Sequence, residues 1–233
     1  VARWCGWGRR YLVGEPIQIM QTVAEYLDKT ESAVKKLFDG MDDYLEILRQ
    51  APGIAYSYGK DEDQWVAYDR WAFENPEKLK ASVEAQRSFI AESFALATLC
   101  GSVLQIAAKA IECYSVVDKV PVDCEGLLTK KNDKKFRPFC IGRRVHDVPI
   151  GLVIYAGRNQ ATHFNEEKLS DANIEIFRRL CAGNPLLAKK GLHDSAFDLV
   201  GSNMTNFASN ITALLGWRSF EAYDADMRAL LIS

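Results

Sequence analysis

A chain of 233 residues, 48% apolar and 26% charged, is long enough for one large domain with a real hydrophobic core. Its formal charge of −2 argues against a general nucleic-acid coat but leaves room for a local basic patch. The six cysteines, at 5, 100, 113, 124, 140 and 181, show no Cys-x-x-Cys spacing, and Cys100 and Cys113 fall in an apolar, helix-like stretch. Small reduced thiols in a cytoplasmic chain are therefore expected rather than a disulfide framework. No two histidines stand at metal-ligand spacing, and the expectation is that neither metal nor cofactor is needed.

The opening Val1-Ala-Arg-Trp-Cys-Gly-Trp-Gly-Arg-Arg10 lacks the apolar core of a signal peptide. Pro16 then suits the first turn of a helix whose stripe is Ile17, Met20, Val23, Ala24 and Leu27. A second helix is predicted from about Glu31 to Arg49 on Val34, Leu37, Phe38, Met41, Leu45 and Leu48, stopped by Ala51-Pro52-Gly53. From Gly53 to Asn75 the pattern loosens into aromatics and acids. Such aromatics can stack bases, but Asp61, Glu62 and Asp63 repel a phosphate backbone, and packing of a loop or short helix onto the core is the plainer reading.

Asn75-Pro76-Glu77 predicts a helix start, with Asn as cap, Pro in the first position and an acid in the first turn. From there the chain is expected to stay helical to about Val117. Phe89, Phe94, Leu96, Leu99, Val103, Leu104, Ile106, Ala107 and Ile111 cover well over half its circumference, as in the central helix of a bundle. Glu92 and Glu112 on this helix either hydrogen-bond a functional side chain or face solvent. The longest uncharged run, Ser93 to Ala108, has 16 residues, short for a bilayer span, so a core helix and no membrane are expected.

Between Leu127 and His146 the charge changes sharply. Lys130, Lys131, Lys134, Lys135, Arg137, Arg143 and Arg144 stand against Asp133 alone, either as a phosphate-binding patch or as a solvated linker. His146, beside Arg143 and Arg144, offers a secondary contact. Asp147-Val-Pro149 then predicts the start of the next helix, with Asp147 as the candidate cap. Gly151 and Gly157 cost that helix about 1 kcal/mol each relative to alanine, which implies close approach by another backbone, a subunit's being one option.

This helix carries the chemistry. Gly151-Leu-Val-Ile-Tyr-Ala-Gly is followed by Arg158-Asn159-Gln160-Ala161-Thr162-His163, so an apolar run delivers a cation, an amide and an imidazole within six positions. In a helix Asn159 and His163 share a face, and Arg158 flanks them about 140° from His163. A helix-end arginine and a capping or core histidine form the plain structural alternative. Beyond His163 a short helix starts after Ser170 and ends at Gly183-Asn184-Pro185, and a helical pair near Asp194 to Leu215 and Ser219 to Leu231 completes the chain. No strand-like alternation of any length appears, so the predicted class is all-α.

Arg158-Asn159-x-x-x-His163 resembles the signature of HEPN domains, an all-α family that includes many RNA-cleaving enzymes. The resemblance implies a single all-α domain built round a long central helix. Residues 76–183 would form its core, 1–75 an N-terminal helical part and 184–233 C-terminal helices. It also implies a metal-independent endoribonuclease in which Arg158 stabilises the phosphate, His163 transfers a proton and Asn159 orients one of them. The expected site lies at the interface of a homodimer, with Lys130, Lys131, Lys134, Lys135, Arg137, Arg143 and Arg144 as the RNA-binding set.

By analogy the role is in toxin–antitoxin or antiviral defence, with an antitoxin or regulatory partner. Some family toxins carry a modified tyrosine two residues after the histidine. Asn165 occupies that position here, which departs from that mode of control. The rival expectation is a non-catalytic helical module that binds RNA or dimerises.

Overall fold

The computed structural model describes residues 20–49, 63–127, 133–163, 169–200 and 206–232. Helix accounts for 77% of it and the sheet is one small hairpin, so the chain is an all-α, multi-helix bundle round a long central helix. Helix α1 (Val23–Arg49) is one continuous element where two helices were expected, because Asp28-Lys29-Thr30 contains no breaker. Pro16 and Ile17 lie outside the described residues. Within them α1 starts at a capping box, in which the Glu25 amide donates to Thr22 Oγ1 (3.2 Å) and the Thr22 amide donates back to Glu25 Oε2 (3.4 Å).

Helix α2 (Gln64–Glu74) is capped by Asp63, whose Oδ1 accepts from the Trp65 amide at 2.7 Å. The aromatic stretch is thus partly a helix, while Asp61 and Glu62 lie outside the described residues. Asn75 joins α2 to α3 (Pro76–Tyr114), but its side chain does not cap α3 as predicted. The amide donates instead to the Trp71 carbonyl (2.9 Å), so it finishes α2, and Pro76 opens α3 without a side-chain cap.

Helix α3 runs unbroken for 39 residues. Its second half is buried on several sides through Leu96, Cys100, Val103, Leu104, Ala107, Ala108, Ala110 and Ile111, whereas Phe94 and Cys113, expected inside, are exposed. Length and composition would let α3 cross a membrane, yet half of its apolar stretch is buried in the bundle. Helix α1 packs antiparallel along it, fixed where Tyr26 Oη donates to the Ile106 carbonyl (3.0 Å) and Tyr114 Oη to the Met20 carbonyl (3.0 Å).

Two 3-10 turns, Val122–Leu127 and Arg137–Phe139, flank the short helix α4 (Asp133–Phe136). A hairpin comes next, with β1 (Arg144–Val145) antiparallel to β2 (Val148–Pro149), which the expectation of no strand had missed. Its two turn residues, His146 and Asp147, both adopt left-handed backbone (φ 46° and 61°), the primed turn that matches strand twist. The usual Asn-Gly or Asp-Gly signal is absent, and tertiary contacts hold the turn instead: His146 Nδ1–H donates to the Leu180 carbonyl at 2.8 Å. Asp147 is therefore a turn residue, not the cap of the next helix, α5 (Ile150–Thr162).

Helix α6 (Asp171–Ala182) starts at Ser170 and ends at Gly183 as predicted, and Pro185 opens the single turn α7 (Pro185–Ala188). The helix expected from Asp194 does not form there. Asp194 and Asp198 accept from the amides of Ala196 and Val200, and these local bonds favour turns over helix. Helices α8 (Ala208–Leu215) and α9 (Phe220–Leu231) meet at Gly216, which supplies a left-handed corner (φ 76°).

This corner is locked from a distance. Asp226 on α9 accepts from Arg143 Nε (3.2 Å) and Nη2 (2.8 Å) and from the indole N–H of Trp217 (2.8 Å), while Arg143 also donates to the Leu215 carbonyl (2.7 Å). Trp217 is 1% exposed, so loss of Asp226 leaves a buried donor without its partner. Asp226→Ala is expected to lower the unfolding free energy by roughly 2 kcal/mol in urea denaturation, whereas Asp224→Ala, at a surface pair, costs about 1 kcal/mol or less.

Candidate functional site

Helix α5 is held by backbone rather than by a cap. The amides of Ile150 and Gly151 donate to the carbonyls of Arg143 (2.9 Å) and Ile141 (3.2 Å), which satisfies two of the free N–H groups of its first turn. Gly151 is required because a Cβ there would lie 2.3 Å from the Phe139 carbonyl oxygen. The predicted close approach of another backbone is therefore real, and it comes from the same chain. Gly157 meets side chains instead, Leu104 and Ile211 at 3.0 Å.

Nine of the first eleven residues of α5, Ile150 to Gly157 and Gln160, are buried. Gln160 serves the fold, since its Oε1 accepts the Phe207 amide at 2.8 Å. Arg158 and Asn159 are half-buried in the last turn, and His163 is the exposed residue that ends the helix, its amide donating to the Asn159 carbonyl at 2.9 Å. The equal-face relation of Asn159 and His163 thus applies at a helix end rather than along a continuing helix.

Arg158 is 16% exposed, and its Nη2 donates to Glu112 Oε1 on α3 at 3.1 Å. Its guanidinium lies 5.2 Å from the Tyr155 ring centroid. Its Nε is buried without a hydrogen-bond partner among the described residues. Lys109 reaches the other Glu112 oxygen at 3.4 Å. The arginine is thus oriented by a carboxylate and an aromatic face, with unused donor capacity.

The basic segment divides. Lys130 and Lys131 lie outside the described residues, and Lys134 and Lys135 are exposed, the ammonium of Lys135 being 5.8 Å from the same Tyr155 ring. Lys135 and Arg158 therefore lie beside one ring. Arg137 Nη1 donates to the Asp118 carbonyl at 2.9 Å. Arg143 is bound by Asp226, and Arg144 is bound by Asp123 and by the Asp147 carbonyl. His146 is engaged with Leu180 and edge-on to Phe197. Arg143 and Arg144, at the start of the hairpin, both hold the fold, so an RNA contact would have to share them.

A feature absent from the sequence reading is the outer face of α3. Thr98, Ser102, Gln105, Lys109 and Glu112 recur at helical spacing, so they share one side and lead towards Arg158. At its far end a groove of about 720 Å³ opens between Phe94, Gly101, Ala161, Thr162 and Asn206. The spacing alone carried this signal, but an amphipathic face is ordinary until the position of α5 is known. Among the described residues no group of three or more His, Cys, Asp or Glu could hold a metal ion. No protein-family model, curated protein or solved structure matches the chain.

The entry of α5 sets the site, and Gly151→Ala tests it. The added methyl must displace the Phe139 backbone, with an expected loss of about 2–3 kcal/mol in chemical denaturation.

Proposed function

We propose that this chain is a metal-independent endoribonuclease of HEPN type. The observation that supports it best is Arg158, half-buried and fixed between Glu112 and Tyr155, with exposed His163 five residues later at the helix end. In this reading the ribose 2′-hydroxyl attacks the adjacent phosphorus, and the 5′-oxygen of the next nucleotide leaves. The products carry a 2′,3′-cyclic phosphate and a 5′-hydroxyl.

His163 accepts or donates the proton, since imidazole does either near neutral pH. Arg158 stays charged and offsets the negative charge gathering on the phosphoryl oxygens. Asn159 orients one of the two. One histidine supplies half of an acid–base pair, so a second copy of the chain completes the site in a symmetric homodimer. The α3 face and its groove give a strand a route to Arg158, and Lys134 and Lys135 add positive charge beside it. A cytoplasmic defence role, toxin–antitoxin or antiviral, with an antitoxin or other regulatory partner, rests on analogy with the family alone.

A second reading is favoured by the Glu112–Arg158 pair itself. A guanidinium already held by a carboxylate suits a non-catalytic module that binds RNA or dimerises. Incubation of labelled RNA in EDTA separates the two. The wild type is expected to leave cyclic-phosphate ends, and Arg158→Ala and His163→Ala are each expected to lose on the order of 100-fold or more in rate. Intact RNA with a folded, RNA-binding dimer favours the module, and 5′-phosphate products from a Mg²⁺-dependent reaction overturn the mechanism.

Phosphate must compete with Glu112 for Arg158. Glu112→Gln is therefore expected to tighten RNA binding by roughly two- to five-fold in a filter-binding assay, the scale of a partly exposed ion pair.

A further inference from the structure

The corner that buries Trp217 also borders a cavity of about 320 Å³, set between the last turns of α1, the middle of α3 and α8. Its floor is Met41, Leu96, Cys100 and Trp217, all buried, with half-buried Leu45 beside them. The polar atoms of this floor are already engaged. The Trp217 indole N–H is bound to Asp226, and Thr212 Oγ1 lies 3.0 Å from the Ser209 carbonyl oxygen and 3.4 Å from Cys100 Sγ. What the floor offers a guest is therefore carbon and sulfur.

The mouth is the opposite. Asp42 and Arg49 lie seven positions apart on one side of α1, and Arg218 comes from the corner between α8 and α9; all three are exposed and line the same cavity. The side chains of Asp42 and Arg218 have no hydrogen bond or ion pair with any described residue, and they do not pair with each other. Arg49 uses one nitrogen, Nη1, on Glu46 of its own helix (3.1 Å), which leaves other donors of its guanidinium for a ligand. An apolar cavity with a few polar groups converging on it is the usual form of a small-molecule site.

We propose that this cavity binds a free amino acid with an apolar side chain. The carboxylate of the amino acid takes donors from Arg218 and Arg49, since the guanidinium fork matches a carboxylate. Its ammonium faces Asp42, and its side chain lies on Met41, Leu96 and Trp217. A simple organic anion fits less well, because it would bring its charge up to the unpaired Asp42 carboxylate with nothing to offset it. The volume is at the lower end of the roughly 300–1,000 Å³ of small-ligand pockets, which suits one amino acid and not a peptide. None of these residues belongs to the Arg158 region, so the site stands whether or not the chain cleaves RNA.

The test is isothermal titration calorimetry of the full-length chain with L-phenylalanine, L-leucine and L-methionine, each beside the same molecule without its ammonium group and without its carboxylate. At least one of the three amino acids is expected to bind saturably, one per chain, and its two truncated forms on the order of ten-fold or more weakly. Arg218→Ala should weaken the amino acid by a similar factor and leave binding of the amine unchanged. Asp42→Asn should weaken the amino acid yet leave the deaminated acid bound at least as well as by the wild type. Neither side chain has a partner in the fold, so both variants should melt with the wild type. No saturable binding of any of the three at millimolar concentration, a deaminated acid that binds the wild type as tightly as its amino acid, or full affinity in either variant would overturn the proposal.

Discussion

The close approach of α5 to α3 is the constraint on which the rest of the bundle depends. Ala161 lies 3.2 Å from where a Cβ on Gly101 would sit, and Gly157 admits Leu104 and Ile211 at 3.0 Å. Small residues at these points let apolar side chains from three helices interlock, which is the close packing that stabilises a protein interior. Because α5 is buried so completely, its polar residues emerge only in the final turn. The position of Arg158 and His163 is therefore a consequence of packing: the helix delivers them where it leaves the core.

The second organising feature is a division of labour among cations. Arg143 precedes the hairpin that leads into α5 and Arg144 opens it, and each is held by a carboxylate from elsewhere in the chain. Arg143 also accounts for a terminal carbonyl of α8, at the corner where Trp217 is buried. A planar guanidinium with several donors suits such multiple bonding, and an ammonium does not. The lysines of the same segment are exposed where they are described. Their long stems hold charge in solvent and leave it available to a polyanion.

Much of the fold was legible in the sequence because helical periodicity is local. The long stripe of α3, the Pro76 start, and the Ser170 and Gly183 ends of α6 depend on residues within a turn or two of one another. The same local logic marked Arg158, Asn159 and His163 as polar residues at the end of an apolar run. It failed where distant groups decided. The His146-Asp147 turn adopts left-handed backbone without glycine because Leu180 holds it, and Asp147 consequently is not a cap. Asn75 turned to α2, and Asp194 and Asp198 took local turns in place of a helix.

By itself the sequence determined an all-α chain with a buried central helix and a polar triplet at the end of another. Only tertiary structure decided that Glu112 holds Arg158 and that Asp226 holds Arg143. Each of those contacts links residues more than ten positions apart, and their pairing is set by helix packing, which no local pattern encodes.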